Sequence, residues 1–312
     1  MKKVLITGGH GFIGKSICKM LKEKFPDAVL SVPRSKELDL RNYERTRDYF
    51  ERNSFDTVIH LAAVMAGIGE LTQWPLRYFE ENIQINFNTV KAALESGVKR
   101  FLTFGSSCAF SKYTPIPMGE EHLWSGQPEN TYGTAKLMML EHLQSQSEME
   151  WLYLIPANVY GPGDHFDISL SHVIPATILK FHNAYKTEQR EIKVWGDGLQ
   201  IRDFIYIDDL TEIVCKLLNQ NVWDLKILNL STGLGTSIKR IVQKIQQLMT
   251  KGNEVKIQWV PSEATGILKK ILKNESLLEI IGNYDFTDIE DGLYYTVREF
   301  LNDNNLNKLY CS

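Results

Sequence analysis

The sequence predicts an α/β fold in which a doubly wound parallel sheet carries a smaller α/β region toward the C-terminus. Two observations lead there. Short β-branched runs at 4–7, 29–32, 57–61, 101–104 and 151–155 alternate with amphipathic stretches at 13–24, 43–52, 75–96 and 131–146, the pattern of strands connected by helices that cross back over a sheet. The first run also ends in a glycine-rich turn just where the first amphipathic stretch begins, and Gly, Pro or Asn punctuates each later stretch.

The bulk numbers fit that class. With 312 residues, 43% hydrophobic and 23% charged, the chain can bury a large core. Its net charge of -3 comes from 35 basic and 38 acidic residues, interspersed without long runs of one sign, so neither a nucleic-acid nor a membrane surface is expected as partner. Met1, Lys2 and Lys3 lead straight into the first strand and the glycine turn, which does not read as a signal peptide, and no apolar run reaches membrane-spanning length. Cys18, Cys108, Cys215 and Cys311 are scattered without a CxxC pair, as suits a reducing compartment; a cytoplasmic location is expected.

The first strand closes with Thr7-Gly8-Gly9-His10-Gly11-Phe12-Ile13-Gly14. Gly8, Gly11 and Gly14 stand at GxxGxxG spacing, so the backbone can approach a pyrophosphate whose charge meets free N–H groups at a helix start. A tight strand-to-helix turn is the plain alternative, but the position in the first βαβ unit favours dinucleotide binding and a Rossmann-type sheet. The second strand should end over the adenosine ribose. Pro33-Arg34-Ser35-Lys36 follows it, and Arg34 can form a bidentate pair with the extra phosphate of NADP, so NADP(H) is favoured over NAD; a solvated loop arginine is the competing reading.

Tyr132-Gly133-Thr134-Ala135-Lys136 places a phenol and an ammonium one helical turn apart. Tyrosine is a poor acid or base at neutral pH, and a neighbouring ammonium favours the phenolate. Such pairs also recur by chance, as a core tyrosine beside a surface lysine. Ser106, in Gly105-Ser106-Ser107-Cys108 after the fourth strand, lies at the carboxyl ends where ligands gather in open α/β sheets, and can hydrogen-bond a substrate oxygen beside Tyr132. Glycine cradle, strand-end serine and YxxxK in that order are jointly specific.

These features resemble the extended short-chain dehydrogenase/reductases, and among them the GDP-L-fucose synthases. Gly105-Ser106-Ser107-Cys108, Ile155-Pro156-Ala157-Asn158-Val159-Tyr160-Gly161-Pro162 and Ser171-His172-Val173-Ile174-Pro175-Ala176 carry the resemblance, continued by Val194-Trp195-Gly196-Asp197-Gly198, Arg202-Asp203-Phe204 and Asp208-Asp209. It runs to about residue 240 and loosens beyond. The resemblance implies an NADPH-dependent epimerase-reductase of a GDP-linked 4-keto-6-deoxy sugar, with Ser106, Tyr132 and Lys136 as the reductase triad. Cys108 and His172 become the base and acid of epimerisation, because a ketone at carbon 4 acidifies the protons on carbons 3 and 5. It further implies a cofactor site of Gly8, His10, Gly11, Phe12, Ile13, Gly14, Arg34, Asp39, Leu40, Leu61, Ala62, Ala63, Tyr132, Lys136, Pro156, Asn158, Val159 and His172. Ser107, Asn158, Lys180, Trp195, Arg202 and Lys270 are the implied substrate contacts. Residues 1–160 would form the NADP(H)-binding domain, with later segments rejoining it, and 161–312 mainly the substrate region. A homodimer through the helices at 75–96 and 131–146 is also implied.

Each of these residues has an ordinary reading as well. A lone cysteine is usually a small hydrophobe, a lone histidine is usually structural, and Trp195 and Arg202 can serve packing and a surface ion pair. Asp208 and Asp209, on a strand-like stretch, would face opposite sides, with one as a helix cap, so no metal site is expected. The chain departs from the family at Phe110, where a tyrosine is usual, at Ala66-Gly67 for paired glycines, at His10 for a cofactor-phosphate arginine and at Lys180 for a diphosphate arginine. The alternatives are a reductase without epimerase activity on a related GDP-sugar such as a 6-deoxy-heptose, a 4-epimerase or dehydratase that keeps NAD bound, and a non-catalytic cofactor sensor. Ser107 and Cys108, where dehydratases carry acidic residues, disfavour the second, and the retained Tyr132 and Lys136 disfavour the third.

Overall fold

The computed structural model describes residues 1–168, 171–220, 222–250, 255–261 and 266–303. The first region opens with β1 (Lys3–Thr7), α1 (Phe12–Lys24), β2 (Val29–Ser31), α2 (Tyr43–Asn53) and β3 (Thr57–His60). It continues through α3 (Ile68–Gln73), α4 (Pro75–Glu95), β4 (Arg100–Phe104), α5 (Thr131–Gln144) and β5 (Glu150–Pro156). Local chemistry sets the helix starts. The Asn42 and Asn130 side chains accept from the backbone N–H of Arg45 and Gly133, capping α2 and α5, and proline opens α4. The short α3 was not foreseen, since six residues that include Gly69 and follow a Gly67 cap carry no readable helical period.

After β6 (Asn158–Tyr160) come α6 (Val173–Lys186), β7 (Glu191–Trp195), β8 (Ile201–Tyr206), α7 (Ile207–Asn219) and β9 (Ile227–Leu230). The chain then forms β10 (Gly235–Ser237), α8 (Ile238–Met249), β11 (Lys256–Val260), β12 (Lys269–Lys270), α9 (Glu275–Ile281) and α10 (Ile289–Asp303). The main sheet is parallel in the order β2-β1-β3-β4-β5-β9. Its order reverses at β1, so the crevice at the carboxyl ends of β1 and β3 is where such sheets take ligands. The middle strands are buried on both faces: Val58, Ile59, Phe101, Leu102, Leu152, Leu154 and Ile155 are all inaccessible, the near-continuous apolar runs of a sheet covered on two sides. A second core, with Ile178, Phe181, Ile241 and Val242, lies under α6, α8 and α10.

The strands outside the main sheet form a set with β8 at its centre, paired to β10, β12 and β6, and a separate β7–β11 pair. Buried Asp203 on β8 accepts hydrogen bonds from Ser231 and Thr232, just past β9, and so ties the small sheet to the large one. Asp208 and Asp209 do not lie on a strand. Both sit in the first turn of α7, where acids complement the helix dipole, and Tyr206 occupies the cap position. Asp209 is buried and accepts from Thr287 N–H at 2.9 Å and its hydroxyl at 3.0 Å, anchoring the approach to α10. Among the described residues no helix is long and apolar enough to cross a membrane. Cys18, Cys108 and Cys215 are free thiols, and Cys311 lies outside the described residues.

Gly105, at the exit of β4, packs directly on the Tyr153 ring: a Cβ there would lie 2.3 Å from the ring. Gly105→Ala should therefore cost roughly 1–3 kcal/mol of stability through overpacking, seen as a lowered midpoint in urea or thermal denaturation; an unchanged midpoint would contradict this packing.

Candidate active site

The glycine turn after β1 is closed by contact with the turn after β3. Gly8 has φ of +69°, and a Cβ on it would fall 2.6 Å from the Ala62 backbone N, while one on Gly14 would fall 2.2 Å from the Gly8 carbonyl. Only glycine permits that approach, which leaves the start of α1 without a side-chain cap and its N–H groups available. Phe12 and Ile13 are half-buried at the helix start. Leu61, Ala62 and Ala63, also half-buried, line the turn, with Leu61 N–H donating to Thr7 O at 3.0 Å.

At the end of β2, Arg34 is exposed and its guanidinium makes no ion pair among the described residues. The His10 ring nitrogen Nε2 sits 3.0 Å from Val32 O, which brings the imidazole to the same strand end. Asp39 is committed elsewhere, paired with Arg41 at 2.9 Å, and that guanidinium lowers its pKa. Leu40 is buried beside Ile85. Free cationic and N–H donors around a cradle that a Cβ would fill are a donor set that fits a dinucleotide phosphate.

The catalytic groups are placed by α5. A Cβ on Gly133 would lie 2.0 Å from the Cys108 carbonyl oxygen, so glycine lets the first turn of α5 rest on the turn Ser107–Ala109. That turn is itself capped by Ser106, whose Oγ accepts from Cys108 N–H at 3.1 Å. Tyr132 thereby enters a buried cluster with Ala66, Leu71 and Tyr78, against which Cys108 packs. Lys136, one turn further, is 2% exposed with Nζ 5.8 Å from the centre of the Tyr132 ring, and it has no hydrogen-bond acceptor among the described residues. A buried ammonium without an acceptor is costly, and it is suited to the hydroxyls of a ribose.

Burial sets the charge states here. The Tyr132 phenol is pushed well above its ordinary pKa, first by desolvation and then by nearby Cys108, while desolvation brings Lys136 down to about 8. The sequence expectation that Lys136 would favour the phenolate is not met: Tyr132 is held as the protonated phenol, the form that donates.

Behind the pair stand residues that sequence reasoning missed. Buried His60 has Nδ1 2.7 Å from Thr7 Oγ1 and Nε2 3.2 Å from Asn86 Oδ1. Desolvation, then the charge of Lys136, bring its pKa down to about 3 and hold it neutral. Asn86 donates to Ala135 O at 3.3 Å and Tyr153 OH to Lys136 O at 3.0 Å, fixing the backbone of α5.

The sugar-facing side gathers around Cys108. Lys270 Nζ lies 3.8 Å from Cys108 Sγ and is ion-paired with Glu129, which sequence reasoning also missed, since one acid before a capping asparagine carries no motif. Half-buried Arg202 has its pKa lowered by desolvation, offset by Glu129 and Cys108. Ser107 is half-buried in the same turn. Asn158 donates to Asp203 O at 2.7 Å, with half-buried Pro156 and Val159 on either side of it.

The remaining residues come from the second region. Trp195, about half exposed, leans on α3, where a Cβ on Gly69 would lie 3.2 Å from its ring. Lys180 Nζ is 5.7 Å from the Trp195 ring centre and donates to Lys193 O at 2.9 Å. His172 precedes α6; it stays exposed, yet protein crowded around its ring lowers its pKa. The structure thus brings Ser106, Cys108, Tyr132, Lys136, Arg202 and Lys270 together, while the His172 ring makes no hydrogen bond to any of them among the described residues. No group of three or more His, Cys, Asp or Glu that could hold a metal ion occurs among the described residues.

Residues 4–230 match the NAD dependent epimerase/dehydratase family. The chain belongs to that family. Within it, the chain is 32% identical to the GDP-L-colitose synthase of Yersinia pseudotuberculosis, over 97% of this chain and 99% of that one. It is 30% identical to the GDP-L-fucose synthase of Escherichia coli strain K12, over 96% and 97% respectively. A GDP-L-fucose synthetase from Naegleria fowleri, solved bound to NADP, superposes with a TM-score of 0.83 at 25% identity, covering 97% of this chain and 95% of that one. The doubly wound fold expected from the sequence is the fold this family member shares.

Lys136 gives this site a pH signature. Because burial disfavours its ammonium, the folded chain binds fewer protons than the unfolded chain from about pH 8 up to the ordinary lysine range, so stability rises with pH through that window. Lys136→Met should be more stable than wild type near neutral pH, with the difference shrinking as pH rises. Thermal denaturation from about pH 7 to about pH 10 checks this; a variant less stable than wild type at the lower end would refute it.

Proposed function

We propose that this chain is an NADP(H)-dependent epimerase-reductase acting on a GDP-linked 4-keto-6-deoxy sugar. The observation that carries the reading is the packing of Cys108 against the buried cluster of Tyr132, whose ring lies 5.8 Å from the Lys136 Nζ. A reductase needs a proton donor beside the nicotinamide; a thiol at the same place adds a group able to take a proton from carbon. The names of the fucose and colitose synthases among the relatives, and the NADP in the Naegleria structure, support the substrate class and the cofactor.

Bound NADPH supplies a hydride to carbon 4 of the sugar. Gly8, Gly11 and Gly14 would hold its pyrophosphate against the start of α1, and Arg34 with His10 its 2′-phosphate. Asp39, Leu40, Leu61, Ala62 and Ala63 would border the adenosine half, and Pro156, Asn158, Val159 and His172 the nicotinamide half. Lys136 donates to ribose hydroxyls, and the neutral phenol of Tyr132 gives its proton to the carbon-4 oxygen, which Ser106 also hydrogen-bonds. Before reduction, Cys108 takes a proton from carbon 3 or 5, the carbonyl delocalising the charge, and His172 returns one from the other side. Ser107, Lys180, Trp195 and Arg202 would hold the nucleotide and diphosphate, Lys180 as a point charge rather than a bidentate fork.

A second reading, reduction without epimerisation, is favoured by one observation: His172 lies on a separate element and makes no hydrogen bond to the Cys108 cluster among the described residues. With GDP-4-keto-6-deoxy-mannose and NADPH in deuterated water, the first reading expects NADPH oxidation with deuterium at carbon 3 or 5. NADPH loss without deuterium selects the second; no NADPH loss across GDP-, UDP-, CDP- and dTDP-linked 4-keto sugars rejects both. Tyr132→Phe should lower kcat by roughly 10²- to 10⁴-fold with NADPH binding retained.

The proposal includes a cytoplasmic homodimer. Phe87 on α4 stacks on His142 of α5 with ring centres 4.8 Å apart, and Phe87 and Met138 stay 51% and 41% exposed on neighbouring helices, an apolar face that fits self-association. Phe87→Glu should shift the sedimentation coefficient from dimer to monomer; a wild-type monomer would remove this part of the reading.

A further inference from the structure

Residues outside the hydride-transfer pair converge on the thiol of Cys108. Lys270, on β12 and only 7% exposed, directs Nζ at Cys108 Sγ, 3.8 Å away, and the same ammonium is ion-paired with Glu129. The Glu129 backbone N–H donates to the Cys108 carbonyl at 3.0 Å, so carboxylate and sulfur are fixed to one another through the main chain. Arg202 stands in register with Lys270 across β8 and β12 and feels both Glu129 and Cys108. Tyr132, from α5, is a further ionisable neighbour coupled to the thiol.

An ammonium this deeply buried sheds its proton unless an anion stands beside it. A neutral amine does little for a thiolate, whereas an ammonium within hydrogen-bond reach stabilises it. The Glu129 carboxylate is the anion that stands beside Lys270 where Nζ meets the sulfur. We propose that Glu129 is a positioning residue for Cys108: it keeps Lys270 charged and aimed at Sγ, and that ammonium holds the thiolate which accepts the carbon-bound proton. The proposal rests on the epimerase reading above and gives Lys270 a role at the base instead of one confined to substrate binding.

A simpler electrostatic picture has the opposite sign. If the Glu129 charge acted on the sulfur directly, its removal would make the thiolate easier to form. The pH dependence of Cys108 alkylation by iodoacetamide, followed on that peptide by mass spectrometry, separates the two and needs no turnover. In Lys270→Met the midpoint should rise by roughly 1–3 pH units, the effect of removing an adjacent opposite charge, and Lys270→Arg should keep it near wild type. Glu129→Gln should also raise it, and should add nothing in the Lys270→Met background, because Glu129 acts through Lys270.

A midpoint that falls or stays in Glu129→Gln, or that moves on adding this change to Lys270→Met, overturns the proposal. NADPH binding confirms that each variant is folded; should Glu129→Gln not fold, equal midpoints in Lys270→Met and wild type still overturn it. Deuterium uptake at carbon 3 or 5 is scored separately. Shifted midpoints without deuterium in the wild type sink the epimerase reading while the coupling of the three side chains stands, and deuterium with unmoved midpoints sinks the coupling alone.

Discussion

The close approach of α5 to the turn after β4 is the constraint on which the site depends. At Gly133 the helix meets the Cys108 carbonyl with no room for a Cβ. That single contact sets the separation between the phenol carried by the helix and the thiol carried by the turn. Ser106 is held by the same turn through its bond to Cys108 N–H, and Glu129 through its own N–H. Displacing the helix would separate proton donor, thiol and ammonium at once, because no side-chain hydrogen bond holds Tyr132 to Lys136 or to Cys108 among the described residues.

The second theme is that burial, more than ion pairing, sets charge states near the nicotinamide end. Tyr132 stays a phenol, Lys136 is drawn toward neutrality and His60 stays uncharged, each chiefly because the protein withholds water. At the sugar end the logic changes, and Lys270 and Glu129 offset one another as a pair. Proton donation and proton abstraction are thus assigned to neighbouring places with different electrostatics, as two opposed acid-base roles in one cleft require.

Much of the first region was legible because its periods are regular. Strands and helices through β5 fall within two residues of the readings from hydrophobic alternation, and the glycine turn, Ser106, Tyr132 and Lys136 stand at the element ends where those readings set them. Short α3 carried no period, and the strands around β8 pair with segments far away in sequence, which no local pattern reports. Asp208 and Asp209 were misread because adjacent acids look alike on a strand and in a first helical turn. Glu129, His60 and Asn86 were invisible for another reason: their importance lies in what the fold sets beside them. The phenolate expectation failed because sequence spacing reports proximity and says nothing of desolvation.

The main sheet has a property that follows from its strand order. Its last strand, β9, pairs with β5 at Tyr153 to Pro156, although seventy residues lie between Pro156 and Ile227. During synthesis β5 therefore leaves the ribosome with one bare edge of backbone N–H and C=O groups, flanked by side chains destined for the interior. The wait lasts until Ile227 to Leu230 emerge to cover it. Nascent chains stalled in that interval expose a sticky hydrogen-bonding rim that the finished molecule conceals, and chaperone demand should concentrate there.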